Sequence, residues 1–83
     1  MTIEKHDLHH EFPEFNDEIR HLKMNDNHFF RLFTEYHETD HEVHRIELGV
    51  ENTSDEYIEK RKKQRLRLKD ELFVMLKKVK LPA

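Results

Sequence analysis

Two stretches of the chain repeat mainly apolar residues at alternating spacings of three and four, and this pattern constrains the fold more than any other feature. Such spacing puts one side chain per turn on the same helix face, as in a coiled-coil seam. The first seam is Phe29, Leu32, Tyr36, Thr39, Val43 and Ile46, and the second is Ile58, Arg61, Arg65, Leu68, Leu72, Met75 and Val79. The pattern predicts two long helices, over about residues 26–48 and 54–79.

A short polar connection separates the two seams. Gly49 is suited to the helix C-cap, and Thr53 with Glu56 has capping-box spacing, with Ser54 as the alternative cap. Helices joined by so short a loop pack antiparallel. Folding there pairs positions whose numbers sum to about 104, so that every residue of the first seam meets one of the second. Leu32 then faces Leu72, and Tyr36 faces Leu68.

A shorter helix precedes the hairpin. Phe12, Phe15, Ile19 and Leu22 recur at helical spacing, and Pro13 suits a first turn. These residues predict a helix over about 13–24. The polar residues at 25–27 favour a break or kink after it, with one continuous helix as the alternative. Residues 1–11 are polar and aperiodic and are interpreted as a flexible arm. The prediction is therefore an all-α single domain over residues 12–83: a coiled-coil-like antiparallel helical hairpin with a short additional N-terminal helix.

The basic residues lie mostly in the last helix. Residues 1–50 carry twelve acidic and five basic side chains, whereas residues 51–83 carry six and ten. Seven of the residues 60–69 are basic, yet Arg61 and Arg65 fall on the seam, where Asp40 is a candidate partner for Arg65 or Lys62. We interpret the basic segment as neutralising the acidic helix. Nucleic-acid binding by residues 60–69 is the disfavoured alternative, because acidic side chains lie alongside and no aromatic residue is interleaved for base stacking.

Composition excludes several classes of protein. The 83 residues include no cysteine, which excludes disulfides, thiolate nucleophiles and cysteine-ligated zinc. The apolar runs are too short to cross a bilayer, and the first residues lack a signal peptide's apolar region. A cytoplasmic protein without membrane contact is expected. The only serine, Ser54, lies at a helix start, and a helical hairpin offers little concave surface. We predict no catalytic residues, no cofactor, no small-molecule substrate and no enzyme activity.

Histidines are abundant. His37, His41 and His44 are spaced so that they share one helix face, and imidazoles one turn apart can chelate Zn²⁺, Ni²⁺ or Cu²⁺. This face lies away from the seam, so exposure of all three to solvent is expected and no metal site is predicted.

A second apolar strip lies to one side of the seams. Its members, Phe33, Leu66, Phe73 and Leu76, are the candidate protein-contact residues. The first helix, a second copy of the chain or a partner helix would have to cover them, because exposed patches of several hundred Å² indicate a contact.

The sequence also resembles a known family. The pairs His28–Phe29 and Leu32–Phe33, Glu35 with His37, the run at 40–42, and the runs at 62–66 and 68–71 are similar to motifs of the bacterial YdcH family, a small domain of unknown function. The resemblance spans about residues 12–76 and implies a helical, coiled-coil-like fold, but no activity. The functional hypothesis is therefore a non-enzymatic adaptor or regulatory protein that acts by contact with a protein partner or a second copy. The alternative is a weak nucleic-acid binder that uses the basic segment.

Overall fold

The computed structural model describes residues 7–79, and this part of the chain is helical with no strand. Helix α1 spans Leu8–Glu11, and a 3₁₀ turn at Pro13–Phe15 leads into α2 at Asn16–Asn25. The long helices are α3, Asn27–Glu47, and α4, Asp55–Lys78. The predicted all-α hairpin with a short preceding helix is confirmed.

Local sequence sets the ends of α3. Asp26 has extended backbone angles, φ −130° and ψ 108°, so α2 and α3 are separate helices. Its carboxylate accepts the Phe29 N–H at 3.0 Å and so caps α3. At the other end Gly49 adopts φ +79°, which L side chains rarely do. The N–H of Val50 then donates to the Arg45 carbonyl, and that of Gly49 to the Ile46 carbonyl, both at 3.0 Å, forming a Schellman motif.

Helix α4 begins at the alternative cap. The hydroxyl oxygen of Ser54, not that of Thr53, accepts the Tyr57 N–H at 3.2 Å. Asp55 and Glu56 follow in the first turn, where negative charge is favourable at the positive end of the helix dipole. Lys77 and Lys78 occupy the last turn. Both ends of α4 are thus stabilised by residues adjacent in sequence.

Ion pairs across the hairpin show its direction. The Arg65 guanidinium donates to the Asp40 carboxylate at 2.9 Å, and Arg61 pairs with Glu42. From the first pair to the second, the residue on α3 lies later in the chain and the residue on α4 lies earlier, so the helices are antiparallel. The partner numbers sum to about 104, as the seams predict. Seven seam residues are buried, five on α3 and two on α4: Phe29, Leu32, Tyr36, Thr39, Val43, Leu68 and Leu72. Arg61 and Arg65 are partly exposed.

The N-terminal segment, residues 7–25, packs on the second side of α4. The Phe12 and Phe73 rings stack with centroids 5.0 Å apart, and Phe15 meets Phe73 edge-on at 6.0 Å. Ile19 and Leu76 are completely buried in the same core. Of the three covers expected for the second apolar strip, the structure therefore shows the chain's own N-terminal segment.

The predicted flexible arm needs correction over its last residues. Residues 1–6 lie outside the described residues, but Leu8–Glu11 form α1 and Leu8 is completely buried. The Asp7 carboxylate caps this helix by accepting the His10 N–H at 2.8 Å. A single apolar residue in a polar run has no periodicity, so the sequence pattern did not indicate that Leu8 anchors a helix.

Replacing Asp40 with alanine should destabilise the hairpin by about 2 kcal/mol, because it removes a charge-assisted hydrogen bond and leaves Arg65 without that partner. Asp40 is 2% exposed. Glu38→Ala, at an exposed position two residues away, is the control and should change stability by less than about 0.5 kcal/mol. Urea denaturation measures both variants. Equal, small losses would contradict a structural role for Asp40.

Removing residues 1–24 should make the remaining hairpin self-associate, because Phe73 and Leu76 lose the aromatic and aliphatic side chains that cover them. Sedimentation at two protein concentrations compares the truncated and full-length chains. A monomeric truncated hairpin with unchanged thermal stability would show that the N-terminal cover is dispensable.

Candidate functional site

The four candidate contact residues have different environments. Leu76 is completely buried, so the folded chain does not present it to a partner. Phe73 is half-buried beneath Phe12 and Phe15. Phe33 is also half-buried, with the Lys23 ammonium 4.5 Å from its ring centroid. Leu66 alone among the four is exposed, at 54%. Three of the four candidate contact residues are therefore wholly or partly covered within the folded chain, and Leu66 is the one that remains exposed.

Leu66 belongs to a surface of α4 that no described helix covers. Val74, eight positions later and 48% exposed, lies about two turns along the helix on a neighbouring line of side chains. Lys63, Arg67 and Asp70 are exposed around them. We call these five residues, Lys63, Leu66, Arg67, Asp70 and Val74, the outer face of α4. It combines two apolar side chains with two cations and one carboxylate.

A groove between α3 and α4 borders this face. Its floor includes Leu32 and Leu68, and cations and carboxylates both line its edges. The charged and amide side chains are Glu35, Lys60, Lys63, Gln64, Arg67 and Glu71. The Arg67 guanidinium lies 3.9 Å from the Glu71 carboxylate. The groove is therefore mixed in charge.

The histidines of α3 are less exposed to solvent than the sequence predicts. Only His41 is exposed, while His37 and His44 are half-buried. The Nε2 atom of His37 accepts the Leu8 N–H at 3.3 Å, and its Nδ1 lies 2.9 Å from the Phe33 carbonyl oxygen. Helix α1 thus covers His37, which corrects the expectation that all three histidines face solvent.

A cavity of about 300 Å³ lies beside α1 on this face. The residues that line it are Asp7, His9, His37, Asp40, His41 and His44. Within residues 7–79, no group of three or more histidine or carboxylate side chains is placed to hold a metal ion. The donors instead have protein partners: Asp40 binds Arg65, and His9 Nδ1 lies 2.9 Å from the Asn16 side-chain oxygen.

Electrostatics around α1 favour an ionised Asp7. Burial acts to raise the pKa of Asp7, but the hydrogen bonds from the His10 side chain and backbone outweigh it, so the pKa is lowered. On the other side of α1, the Glu11 carboxylate lies 3.7 Å from the Lys69 ammonium. These polar contacts orient α1 across the hairpin.

Both tyrosines have raised pKa values, for different reasons. Burial is the main cause for Tyr36, and the Glu11 and Asp40 charges add to it. For Tyr57 the main cause is the hydrogen bond that its hydroxyl donates to Glu42 at 2.9 Å. Tyr36 lies in the core beneath α1, whereas Tyr57 lies near the hairpin loop.

These features define a small helical-hairpin protein in which the outer face of α4 does not form part of the intramolecular core. A family model described as "Protein of unknown function (DUF465)" matches residues 29–81. The chain is also 37% identical over 65 residues to an uncharacterized protein, YdcH, of Escherichia coli (strain K12), covering 78% of this chain and 88% of that protein. YdcH of Shigella flexneri matches equally. The chain therefore belongs to the DUF465 family.

No solved structure matches the chain in the structural comparison. Among the described residues, no helix is both long and apolar enough to cross a membrane.

Replacing Tyr36 with phenylalanine should reduce the loss of stability at alkaline pH. The raised pKa keeps the Tyr36 hydroxyl neutral in the folded chain, whereas an unfolded tyrosine ionises above about pH 10. The wild-type free energy of unfolding should therefore fall by about 1.4 kcal/mol more per pH unit than that of Tyr36→Phe above that pH. Urea denaturation between pH 9 and 11.5 measures this slope. Equal slopes for the two proteins would contradict a raised pKa of Tyr36 in the folded chain.

Proposed function

We propose that this protein is a non-enzymatic adaptor or regulatory factor that contacts another protein through the outer face of α4. The observation that carries the proposal is the exposure of Leu66, the one candidate contact residue that the fold leaves uncovered. The seam of α4 packs on α3, and its second side packs on the N-terminal segment. Leu66 and Val74 therefore offer apolar area that the described core does not use.

Charge favours a partner other than a second copy of the chain. In a twofold-symmetric dimer the same surface of each copy meets at the interface. The outer face of α4 carries two cations and one carboxylate, so two copies of it would bring an excess of positive charge together, which costs free energy. A partner that presents apolar side chains among carboxylates would complement both features of the outer face of α4.

The arrangement of polar groups supports a non-enzymatic role. Ser54, the single serine, uses its hydroxyl oxygen to cap α4, which is a structural task. The carboxylates nearest the hairpin core are held by arginines: Asp40 by Arg65, and Glu42 by Arg61. These contacts account for the conspicuous polar groups by folding alone.

Nucleic-acid binding is the alternative, favoured by Lys60, Lys63 and Arg67 along one groove. Phosphate contacts by lysine and arginine make such binding strongly dependent on salt. Glu35 and Glu71 in the same groove reduce the positive potential and support the protein-contact proposal instead.

Leu66→Glu should abolish capture of a protein partner from native lysate without unfolding the chain, because it puts a charge in the centre of the contact. Leu48→Glu is the matched control, since Leu48 is 55% exposed at the hairpin loop. Both variants should retain wild-type stability within about 0.5 kcal/mol. Capture and quantitative mass spectrometry compare the three proteins.

Two results would contradict the protein-contact proposal. One is identical captured proteins for the wild type and Leu66→Glu. The other is salt-dependent binding of DNA or RNA that Leu66→Glu retains and that replacement of Lys60 and Lys63 by glutamate removes, which would support the alternative.

A further inference from the structure

The hydrogen bonds of His37 define its protonation state. The Phe33 carbonyl oxygen can only accept, so the His37 Nδ1 atom beside it at 2.9 Å carries a hydrogen. The Leu8 backbone N–H can only donate, so Nε2 carries the lone pair that receives it. His37 is therefore neutral in this arrangement, with its hydrogen on Nδ1.

Helix α1 is held to the hairpin by a small set of contacts. Its four residues are too few to form a stable helix in water alone. Leu8 supplies the buried side chain and donates to His37, while Glu11 approaches Lys69. A change at His37 thus acts on one of the principal attachments of α1.

We propose that His37 is a pH-sensitive switch that holds α1 on the hairpin when neutral and releases it when protonated. Protonation puts a hydrogen on Nε2, which then faces the Leu8 N–H as a second donor. The hydrogen bond between α1 and α3 is lost, and the buried Leu8 N–H loses its acceptor. Attachment is favoured at neutral pH and weakens as the pH falls.

Charged and titratable groups surround His37 on each packed element. On the side of α1 these are its N-cap Asp7 and His9, and on α3 they are Asp40, His41 and His44. Lys23 of α2 lies over the Phe33 ring, which contacts His37. Arg65 of α4 pairs with Asp40. The two carboxylates would attract a protonated imidazole, but each has other partners. Asp7 binds His10, and Asp40 binds Arg65. The nearby histidines and Lys23 oppose an added positive charge.

Release of α1 would change the surface next to Leu66. A cavity on that side is lined by residues of α1, α3 and α4: Glu11, Tyr36, Lys62, Arg65, Leu66 and Lys69. Departure of α1 removes Glu11 from this cavity and uncovers the apolar surface that Leu8 covers. The switch would therefore enlarge the exposed apolar area around Leu66 at acidic pH.

Amide hydrogen exchange followed by NMR tests the switch on the full-length chain. Between pH 7.5 and 5.5 the protection factor of the Leu8 amide, corrected for the intrinsic exchange rate, should fall about tenfold, because protonation of the His37 imidazole competes with the hydrogen bond that Leu8 donates to it. The Leu72 amide in α4 is the internal reference and should keep its protection. Unchanged Leu8 protection would overturn the proposal.

Two glutamine variants identify the responsible histidine. In His37→Gln the side-chain oxygen can accept the Leu8 N–H at every pH, so the tenfold change should disappear. His41→Gln, the same substitution at an exposed position on α3, should retain it. A full response in His37→Gln, or its loss in His41→Gln, would overturn the proposal.

The wild-type imidazole provides a test that needs no variant. Nitrogen-15 chemical shifts at pH 7.5 should show His37 protonated at Nδ1 and unprotonated at Nε2. A hydrogen on Nε2 at that pH would overturn the proposal whatever the glutamine variants do.

Discussion

The stacking of Phe12 on Phe73 connects the N-terminal segment to the hairpin, and the single core of the domain depends on that connection. The α3–α4 seam leaves a second apolar side of α4 unused, including Leu76. A ring stacked at 5.0 Å, together with Phe15 at its edge, excludes water from that side. Because aromatic side chains bury large areas, these few contacts convert a two-helix hairpin into a domain with one continuous core.

The hairpin could be predicted from sequence because each of its determinants is local or periodic. The two seams specify the buried faces, Gly49 ends α3, and the short loop requires antiparallel packing. The predicted register placed Arg65 and Lys62 near Asp40, and the structure pairs Asp40 with Arg65. Ser54 and Thr53 could not be separated as caps, because both side chains can accept a hydrogen bond and their order alone does not fix the backbone angles.

The region around α1 was not predictable in the same way. Leu8 lies among polar residues, and one buried side chain produces no period. The burial of His37 follows from the position of α1, so reasoning from α3 alone placed all three histidines in solvent. The internal position of Leu76 likewise depends on where the N-terminal segment folds back. These are long-range contacts, and a helical period specifies a face but not the element that covers it.

The distribution of ion pairs limits which basic residues can act on a partner. Arg65, Arg61 and Lys69 face Asp40, Glu42 and Glu11 within the fold, which accounts for part of the basic segment structurally. The basic residues on the outer face of α4, Lys63 and Arg67, lie further from the core and surround Leu66. A partner that only neutralised charge would not need the apolar side chain between them. In the protein contact that we propose, Leu66 would supply apolar area and the two cations would select the partner, since charge complementarity contributes more to association rate and specificity than to affinity.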